Sequence, residues 1–417
     1  MNHQRRRVAG AVSAIAAMAL LLPVPVSAVD PPQRVPLAQV DRPLDREVFG
    51  FFRPTYRHYL LEHADFSALT TVAYFSITAR ASGHLAKAST SWQVWMGQAM
   101  DQIIDRAHAA GTRVVMTITR FSWDAAGREV TNRLLSNPTA RHTLAVEIAD
   151  AVVDREVDGV NIDFEPIPAG QRANFVSFMR EMRATLDDAG HGLSLTFDAT
   201  GHIANYDITS LTAPGAADAV FIMGYPYSGP WSDRAGSVSP LTGTTYDVTD
   251  TVRAYLDRTS PDKIILGLPL FGYQWSTVDS SLHSDTRPKS RRYGYPYSVL
   301  SARAANIAAA NGRQWDAVQK GPWTRWRSRD CGSCPLTWHQ LYYEDMQSIG
   351  LKYDLINARG LRGAGIWALG YQGDGAELYD LIHGKFDDLA ASRPDDGRPS
   401  VPSPFDVMLR SGGMRPL

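Results

Sequence analysis

Cysteine is almost missing from this chain of 417 residues: Cys331 and Cys334, spaced C-x-x-C, are the only two. Zinc would need two more ligands nearby, which His339 alone does not supply, and a redox pair would want a thioredoxin-like β-α-β context that is not there. In an exported chain the pair is most simply a local disulfide closing a small loop. Excess charge is missing too. Lys and Arg number 42 against 43 Asp and Glu, a formal net charge of −1, which gives no electrostatic case for nucleic acid. The 11 histidines include no H-E-x-x-H and no close pair in a suitable context, so neither a metal ion nor another cofactor is expected. Past the N-terminus no apolar run approaches the roughly 20 residues of a membrane-spanning helix, and no internal repeat is visible.

What is present is an ordinary globular composition, 44% hydrophobic and 20% charged, with length for one large or two medium domains. Residues 1–28 stand apart. Arg5, Arg6 and Arg7 precede an apolar run from Val8 to Leu22, and Val26-Ser27-Ala28 supplies a small-residue cleavage site, the pattern of a secretory signal peptide. A secreted or cell-wall-associated protein without stable membrane insertion is therefore expected. Cleavage would take the formal charge from −1 to about −4. Residues 29–46, polar and proline-bearing, read as a leader. Residues 387–417, rich in proline, aspartate and serine, read as a mobile tail.

From Val48 onward eight short apolar runs alternate with helical patterns. The runs are Val48 to Phe52, Thr71 to Ile77, Arg113 to Ile118, Gly159 to Phe164, Leu193 to Phe197, Ala219 to Gly224, Ile264 to Pro269 and Ala364 to Leu369. Between them, Trp92, Met96, Ala99, Ile103 and Ala107 step by three and four toward Gly111. Asn137-Pro138 reads as a cap with proline at the first helical position, and Phe175, Phe178, Met182 and Leu186 form another stripe before Gly190. This alternation predicts a (β/α)₈ barrel over residues 47–386, with a doubly wound open sheet as the competing arrangement. The stretch 272–338 is too long for a plain connection. It reads as a small subdomain inserted between strand seven and its helix, which the pattern starts at Leu341 and runs to Ala358.

The most informative segment is Asp158-Gly159-Val160-Asn161-Ile162-Asp163-Phe164-Glu165. In an extended strand Asn161, Asp163 and Glu165 share one face, while Val160, Ile162 and Phe164 share the apolar other. Two carboxyls so spaced raise the cost of ionising one another, so one can stay protonated near neutral pH and act as a general acid. Glycoside hydrolysis needs such an arrangement. A calcium loop, a structural polar cluster or a coincidental acidic pair are the bland alternatives, and the alternating apolar residues and the glycine placement argue against an EF-hand.

The octapeptide resembles the D-G-x-D-x-D-x-E signature of glycoside hydrolase family 18, the chitinases and related N-acetylglucosaminidases, with Asn161 replacing the middle aspartate. Phe221-Ile222-Met223-Gly224-Tyr225, Gly267-Leu268-Pro269-Leu270-Phe271-Gly272-Tyr273 and Gly363-Ala364-Gly365-Ile366-Trp367 are similar to the family's segments on strands six, seven and eight. The resemblance implies a retaining, substrate-assisted hydrolase of β-1,4-linked N-acetylglucosamine glycans, chitin or peptidoglycan, acting as a monomer. It implies Glu165 as acid and base, Asp163 as the group holding the substrate acetamide, Tyr225 orienting its carbonyl, and Trp367 as the floor under the sugar. Met223, Tyr227, Trp275 and Asp198 are further expected substrate contacts. Asn161 cannot ionise; it is expected to hydrogen-bond Asp163 and to leave that carboxyl easier to ionise. Pro226 stands where the family often has an acidic residue or its amide, and Asp198, Tyr206 and Asp207 are the residues that would compensate. A catalytically silent glycan-binding protein on the same barrel is the competing function, and the retained Glu165 argues against it.

Overall fold

The computed structural model describes residues 44–387; the expected signal peptide, nearly all of the leader and the tail beyond Asp387 lie outside the described residues. The chain forms strands β1 (Glu47–Phe52), β2 (Thr71–Thr78), β3 (Arg113–Phe121), β4 (Gly159–Glu165), β5 (Ser194–Thr200), β6 (Ala219–Met223) and β7 (Ile264–Pro269). Then follow β8 (Phe271–Thr277), β9 (Tyr297–Leu300), β10 (Gln314–Asp316), β11 (Gly321–Ser328), β12 (Thr337–Tyr342) and β13 (Gly363–Trp367). Strands β1 to β7 and β13 close into a barrel in the order β1-β13-β7-β6-β5-β4-β3-β2, and its pairings are parallel. Each barrel strand falls on one of the eight apolar runs. Helices cover the outside, so the strands are apolar toward the helices, and the inward positions are free to be aromatic or polar.

The helix boundaries follow local chemistry. Asn137 Oδ1 accepts hydrogen bonds from the Thr139 and Ala140 amides, with Pro138 in the first turn, which starts the helix Pro138–Asp154 without orphaned donors. Two expected helices differ in the structure. The stripe from Trp92 to Ala107 is split into Thr90–Trp95 and Gln98–Ala109, with Gly97 as the N-cap of the second, where glycine's poor helix propensity favours a break. The helix expected from Leu341 starts at Met346, because Asp345 and Ser348 form a capping box there. Leu341 and Tyr342 instead lie in β12, paired on both sides with β8 and β11.

The inserted segment folds as a five-stranded sheet in the order β10-β11-β12-β8-β9 with the helix Ser301–Asn311 against it. One face of this sheet buries Val299, Ala304, Ala308, Leu341 and Tyr343. The other packs Trp275, Trp323 and Tyr342 on Ala235, a residue of the loop that follows β6. The subdomain is thereby fastened to a barrel loop by its own core.

The barrel interior is aromatic. Phe221 packs edge-on against Phe51 (4.9 Å between ring centres) and Phe49 (5.8 Å). Its ring occupies space that Gly267 of β7 and Gly365 of β13 leave open: a Cβ would meet the Phe221 ring at 2.2 Å at position 267 and at 2.1 Å at position 365. Those glycines are therefore spatial requirements of the lumen. Gly365→Ala is expected to destabilise the fold by about 1–3 kcal/mol through forced displacement of Phe221, and a urea midpoint indistinguishable from that of the parent chain would contradict this packing.

Candidate active site

Strand β4 sorts its residues as period two requires. Phe164 faces outward and stacks on Phe178 (5.8 Å, 6°) beside Phe175 (5.9 Å) of the helix Arg172–Ala189. Asn161, Asp163 and Glu165 face the lumen at the C-terminal end of the barrel, the end on which such barrels build active sites. Asn161 lies opposite Thr117 of β3 and Thr196 of β5, and Asp163 opposite Thr119 of β3. Asn161 and Asp163 are fully buried, whereas Glu165 is partly exposed at the strand end.

Both polar atoms of the Asn161 amide are hydrogen-bonded, but not to Asp163. Its Nδ2 donates to Asp198 Oδ2 at 2.9 Å, and its Oδ1 accepts from Thr196 Oγ1 at 2.7 Å. The β4–β5 register turns the amide toward β5, which corrects the expected Asn161–Asp163 bond. Asp198 is 3% exposed, and it brings a third carboxyl into the cluster. Asp163 Oδ1 and Asp198 Oδ1 are both buried without a hydrogen-bond partner, an arrangement that calls for a proton or a donating ligand.

The electrostatics follow from this geometry. Burial, then the charges of Glu165 and Asp198, hold the Asp163 carboxyl well above the usual carboxylate range. Burial pushes Glu165 up to about 7, opposed by a hydrogen bond shared with Asp163. Asp198 is likewise held well above its usual range by burial, with the Asn161 bond opposing. With an amide at 161, Asp163 is still raised, by burial first and then by Glu165 and by Asp198 of β5. These shifts all favour retention of a proton by the cluster near neutral pH, where it could serve a leaving group.

The other expected site residues lie around this centre. Tyr225 follows β6 and packs edge-on against Phe271 (5.9 Å, 83°). Burial and the charges of Asp198, Glu165 and Asp163 push its hydroxyl well above the usual phenol range, so it remains a hydrogen-bond donor. Met223, Tyr225, Pro226, Tyr227 and Trp231 line a cavity of about 640 Å³ together with Tyr246 and the end of β5. Tyr227 is fixed there by a 2.6 Å bond between its hydroxyl and Thr251 Oγ1. Trp367, at the end of β13, rests edge-on against Phe75 (4.5 Å) and on Phe51 (5.6 Å), a rigid seat at the barrel mouth. Trp275 is a correction: it is 1% exposed, and its Nε1 donates to the Gly229 carbonyl at 3.1 Å, so it packs the subdomain against the cavity loop and does not face the cleft. Tyr206 donates to the Phe164 carbonyl at 2.8 Å and supports β4 from behind. Asp207 caps a short helix and pairs with Arg172, outside the cluster.

Residues that the sequence reading passed over complete the site. Thr196 orients Asn161, and Thr119 Oγ1 lies 3.0 Å from Ser76 Oγ on the neighbouring strand. Their signal was the alternation of Thr117 and Thr119 with Met116 and Ile118, the same polar-inward pattern seen in β4. Trp123, 66% exposed, stacks on Phe121 (4.4 Å, 13°), the residue opposite Glu165 in the β3–β4 register. Cys331 and Cys334 are joined by a disulfide in the subdomain. Among the described residues no group of three or more His, Cys, Asp or Glu side chains is placed to hold a metal ion.

A raised carboxyl pKa carries a cost in stability whose sign is fixed by linkage. The folded chain keeps the Glu165 proton up to about pH 7, whereas the unfolded chain releases it near the ordinary glutamate value of 4.5. Between those values the folded state binds more protons, so this group's contribution to stability falls as pH rises. Glu165→Gln is expected to raise the thermal midpoint relative to the parent at pH 8 and to leave it unchanged at pH 4; equal shifts at both values would contradict the assignment.

The family model described as glycosyl hydrolases family 18 matches residues 57–372. A putative sporulation-specific glycosylase, YdhD, of Bacillus subtilis is 28% identical over 265 residues; the match covers 61% of this chain and 56% of that protein, so the chain spans little more than half of that relative. The mouse di-N-acetylchitobiase is 26% identical over 344 residues, 78% of this chain and 81% of that protein. Among solved structures, a Cycas revoluta chitinase in complex with (GlcNAc)3 superposes with a TM-score of 0.68 at 16% identity, covering 81% of this chain and 99% of that one. The Bacillus cereus spore cortex-lytic enzyme SleL does so with a TM-score of 0.64 at 19% identity, covering 82% and 74%. With the family model matching well over half of its length, and a barrel whose carboxyl cluster sits at the end of β4, the chain belongs to glycosyl hydrolase family 18.

Proposed function

We propose that this protein is a secreted hydrolase of β-1,4-linked N-acetylglucosamine glycans, working by a retaining mechanism in which the substrate's own acetamide is the nucleophile. The observation that carries this reading is the Asp163–Glu165 pair at the end of β4, with Asp163 buried and Glu165 raised to about 7. Relatives named as a chitobiase and a spore cortex-lytic enzyme, and a fold neighbour holding an N-acetylglucosamine trimer, support the substrate class. The Arg-then-apolar start and the Val26-Ser27-Ala28 site support export.

In this mechanism protonated Glu165 gives its proton to the glycosidic oxygen as the bond to the anomeric carbon breaks. The acetamide carbonyl oxygen attacks the same carbon, forming an oxazolinium ion. Asp163 accepts a hydrogen bond from the acetamide N–H and offsets its developing positive charge, while the Tyr225 hydroxyl donates to the carbonyl oxygen and holds it in line. Water then opens the ring, returning a proton to Glu165 and retaining the anomeric configuration. Trp367 provides the apolar floor for the sugar. Asp198 does not touch the reacting atoms in this scheme. Held by Asn161, it is a positioning residue whose charge keeps protons in the cluster. A glycan-binding protein without activity is the competing reading, and it gives no reason for a Glu165 carboxyl raised to about 7 beside Asp163.

Glu165→Gln is expected to lower kcat on chitooligosaccharides or peptidoglycan by about 10²–10⁴-fold; failure of the parent chain to release reducing ends at any pH would sink the hydrolase reading. Nuclear magnetic resonance of the first product should show the β-anomer, and de-N-acetylated substrate should be cut far more slowly. The kcat/KM profile should fall as pH rises through about 7. In Asp198→Asn one of the charges that raise the Asp163 carboxyl is gone, so the ascending limb, which reports ionisation of Asp163, should move to lower pH; an unmoved limb would remove Asp198 from this role.

A further inference from the structure

The chain's near-zero net charge conceals a strong separation. From Thr286 to Arg329 there are ten Lys or Arg residues and a single acidic one, Asp316, while the whole chain carries a formal −1. Asp316 is buried and paired with His283 at 2.8 Å, so it offsets little of that charge at the surface. Of the ten cations only Arg313 has a carboxylate partner among the described residues, Asp345 at 2.8 Å. Lys289, Arg291, Arg292, Arg327 and Arg329 are exposed. They come from two segments that meet. Cys334 Sγ, in the disulfide loop after β11, lies 3.3 Å from the Arg291 carbonyl oxygen, and a Cβ at Gly294 would strike the Asp330 carboxyl. Asp285 and Asp330 flank this segment in the sequence; Ser276 Oγ donates to Asp330 at 3.3 Å and Arg234 pairs with Asp285 at 3.5 Å.

This face is continuous with the cleft. The Thr286 amide and hydroxyl donate to the carbonyls of Asp233 and Ser232 at 2.8 and 3.0 Å, immediately after cavity-lining Trp231, which is 61% exposed. Arg287 therefore begins where the cavity wall ends. Guanidinium groups are also laid on aromatic rings along the way, Arg287 and Arg292 on Tyr293 at 5.1 and 5.4 Å and Arg327 on Trp338 at 5.5 Å. That holds the charged groups along the surface on aromatic supports. A large unpaired charge of one sign on a domain whose remainder is acidic is a fixed cost in self-repulsion, which an anionic partner would relieve.

We infer that the subdomain is a binding face for a carboxylate-bearing glycan, so that the preferred substrate is an anionic N-acetylglucosamine polymer of the peptidoglycan type, with lactyl and peptide carboxylates along the strand, and not neutral chitin. This rests on the hydrolase reading only for its link to cleavage; the binding face stands without it. The Glu165→Gln chain, which binds without turnover, is tested for sedimentation with purified peptidoglycan, native or with its carboxyls converted to methylamides, and with colloidal chitin. A second chain adds Arg291→Glu, Arg292→Glu, Arg327→Glu and Arg329→Glu. Amidation is expected to weaken binding about tenfold or more at low salt, 0.5 M NaCl should abolish the difference, and the fourfold variant should not distinguish native from amidated polymer. With Glu165 restored, that variant should lose activity on native peptidoglycan but cut neutral chitotetraose as the parent does, which also shows that it is folded. Binding that is indifferent to amidation overturns the inference, as does equal loss on both substrates. Tighter salt-sensitive binding to duplex DNA or to phosphatidylglycerol vesicles than to peptidoglycan would assign the face to another partner. If the parent cuts neither substrate but binding still depends on carboxylates, the hydrolase reading fails and the binding face survives.

Discussion

Everything at the mouth of this barrel depends on keeping the Asp163 and Asp198 carboxyls away from water. The lumen beneath them is filled by Phe49, Phe51 and Phe221, and Phe221 fits only because β7 and β13 carry glycine at its level. With the lower layer occupied by hydrocarbon, water does not reach Asp163 and Asp198 from below, and burial becomes the largest cause of their raised proton affinity. Threonines on β3 and β5 supply hydroxyls but no positive charge, so nothing in the first ring of contacts neutralises the cluster. The same residues that pack the fold therefore set the chemistry of the site.

The division of labour between β4 and β5 follows from register. Because Asn161 faces Thr196, its amide lies within reach of Asp198 and forms a bridge between the two strands. A carboxylate at position 161 would stand against Asp198 with no donor between them. Asparagine at 161 and aspartate at 198 are thus partners: the amide donates to the buried Asp198 oxygen, and Thr196 in turn donates to the amide. Read alone, position 161 looks like a loss. Read with its neighbour, it is half of an exchange across one ladder.

The sequence made the barrel legible because its signals are local and repeated. Eight apolar runs alternating with helical patterns leave few topologies open, and the D-G-x-N-x-D-x-E run put the cluster at the end of its strand. What escaped depended on contacts between distant segments. Trp275 has the composition of a sugar-stacking residue, and only its bond to Gly229, 46 positions away, reveals it as internal packing. The partner of Asn161 required the β4–β5 register, which no pattern within one strand specifies. The helix start at Met346 was hidden because Leu341 and Tyr342 are apolar in either helix or strand, and the two-sided pairing of β12 decided between them.

The join between subdomain and barrel has a consequence for how this architecture can vary. Trp275, Trp323 and Tyr342 close over Ala235, and Gln319 Oε1 accepts from the Ser237 amide at 2.8 Å, so the loop carrying Tyr227 and Trp231 is moulded by an insertion that contributes no strand to the barrel. The two parts can then change at different rates. Substitutions inside the five-stranded sheet can widen, narrow or tilt one wall of the groove while the carboxyl cluster, anchored on β4 and β5, keeps its geometry.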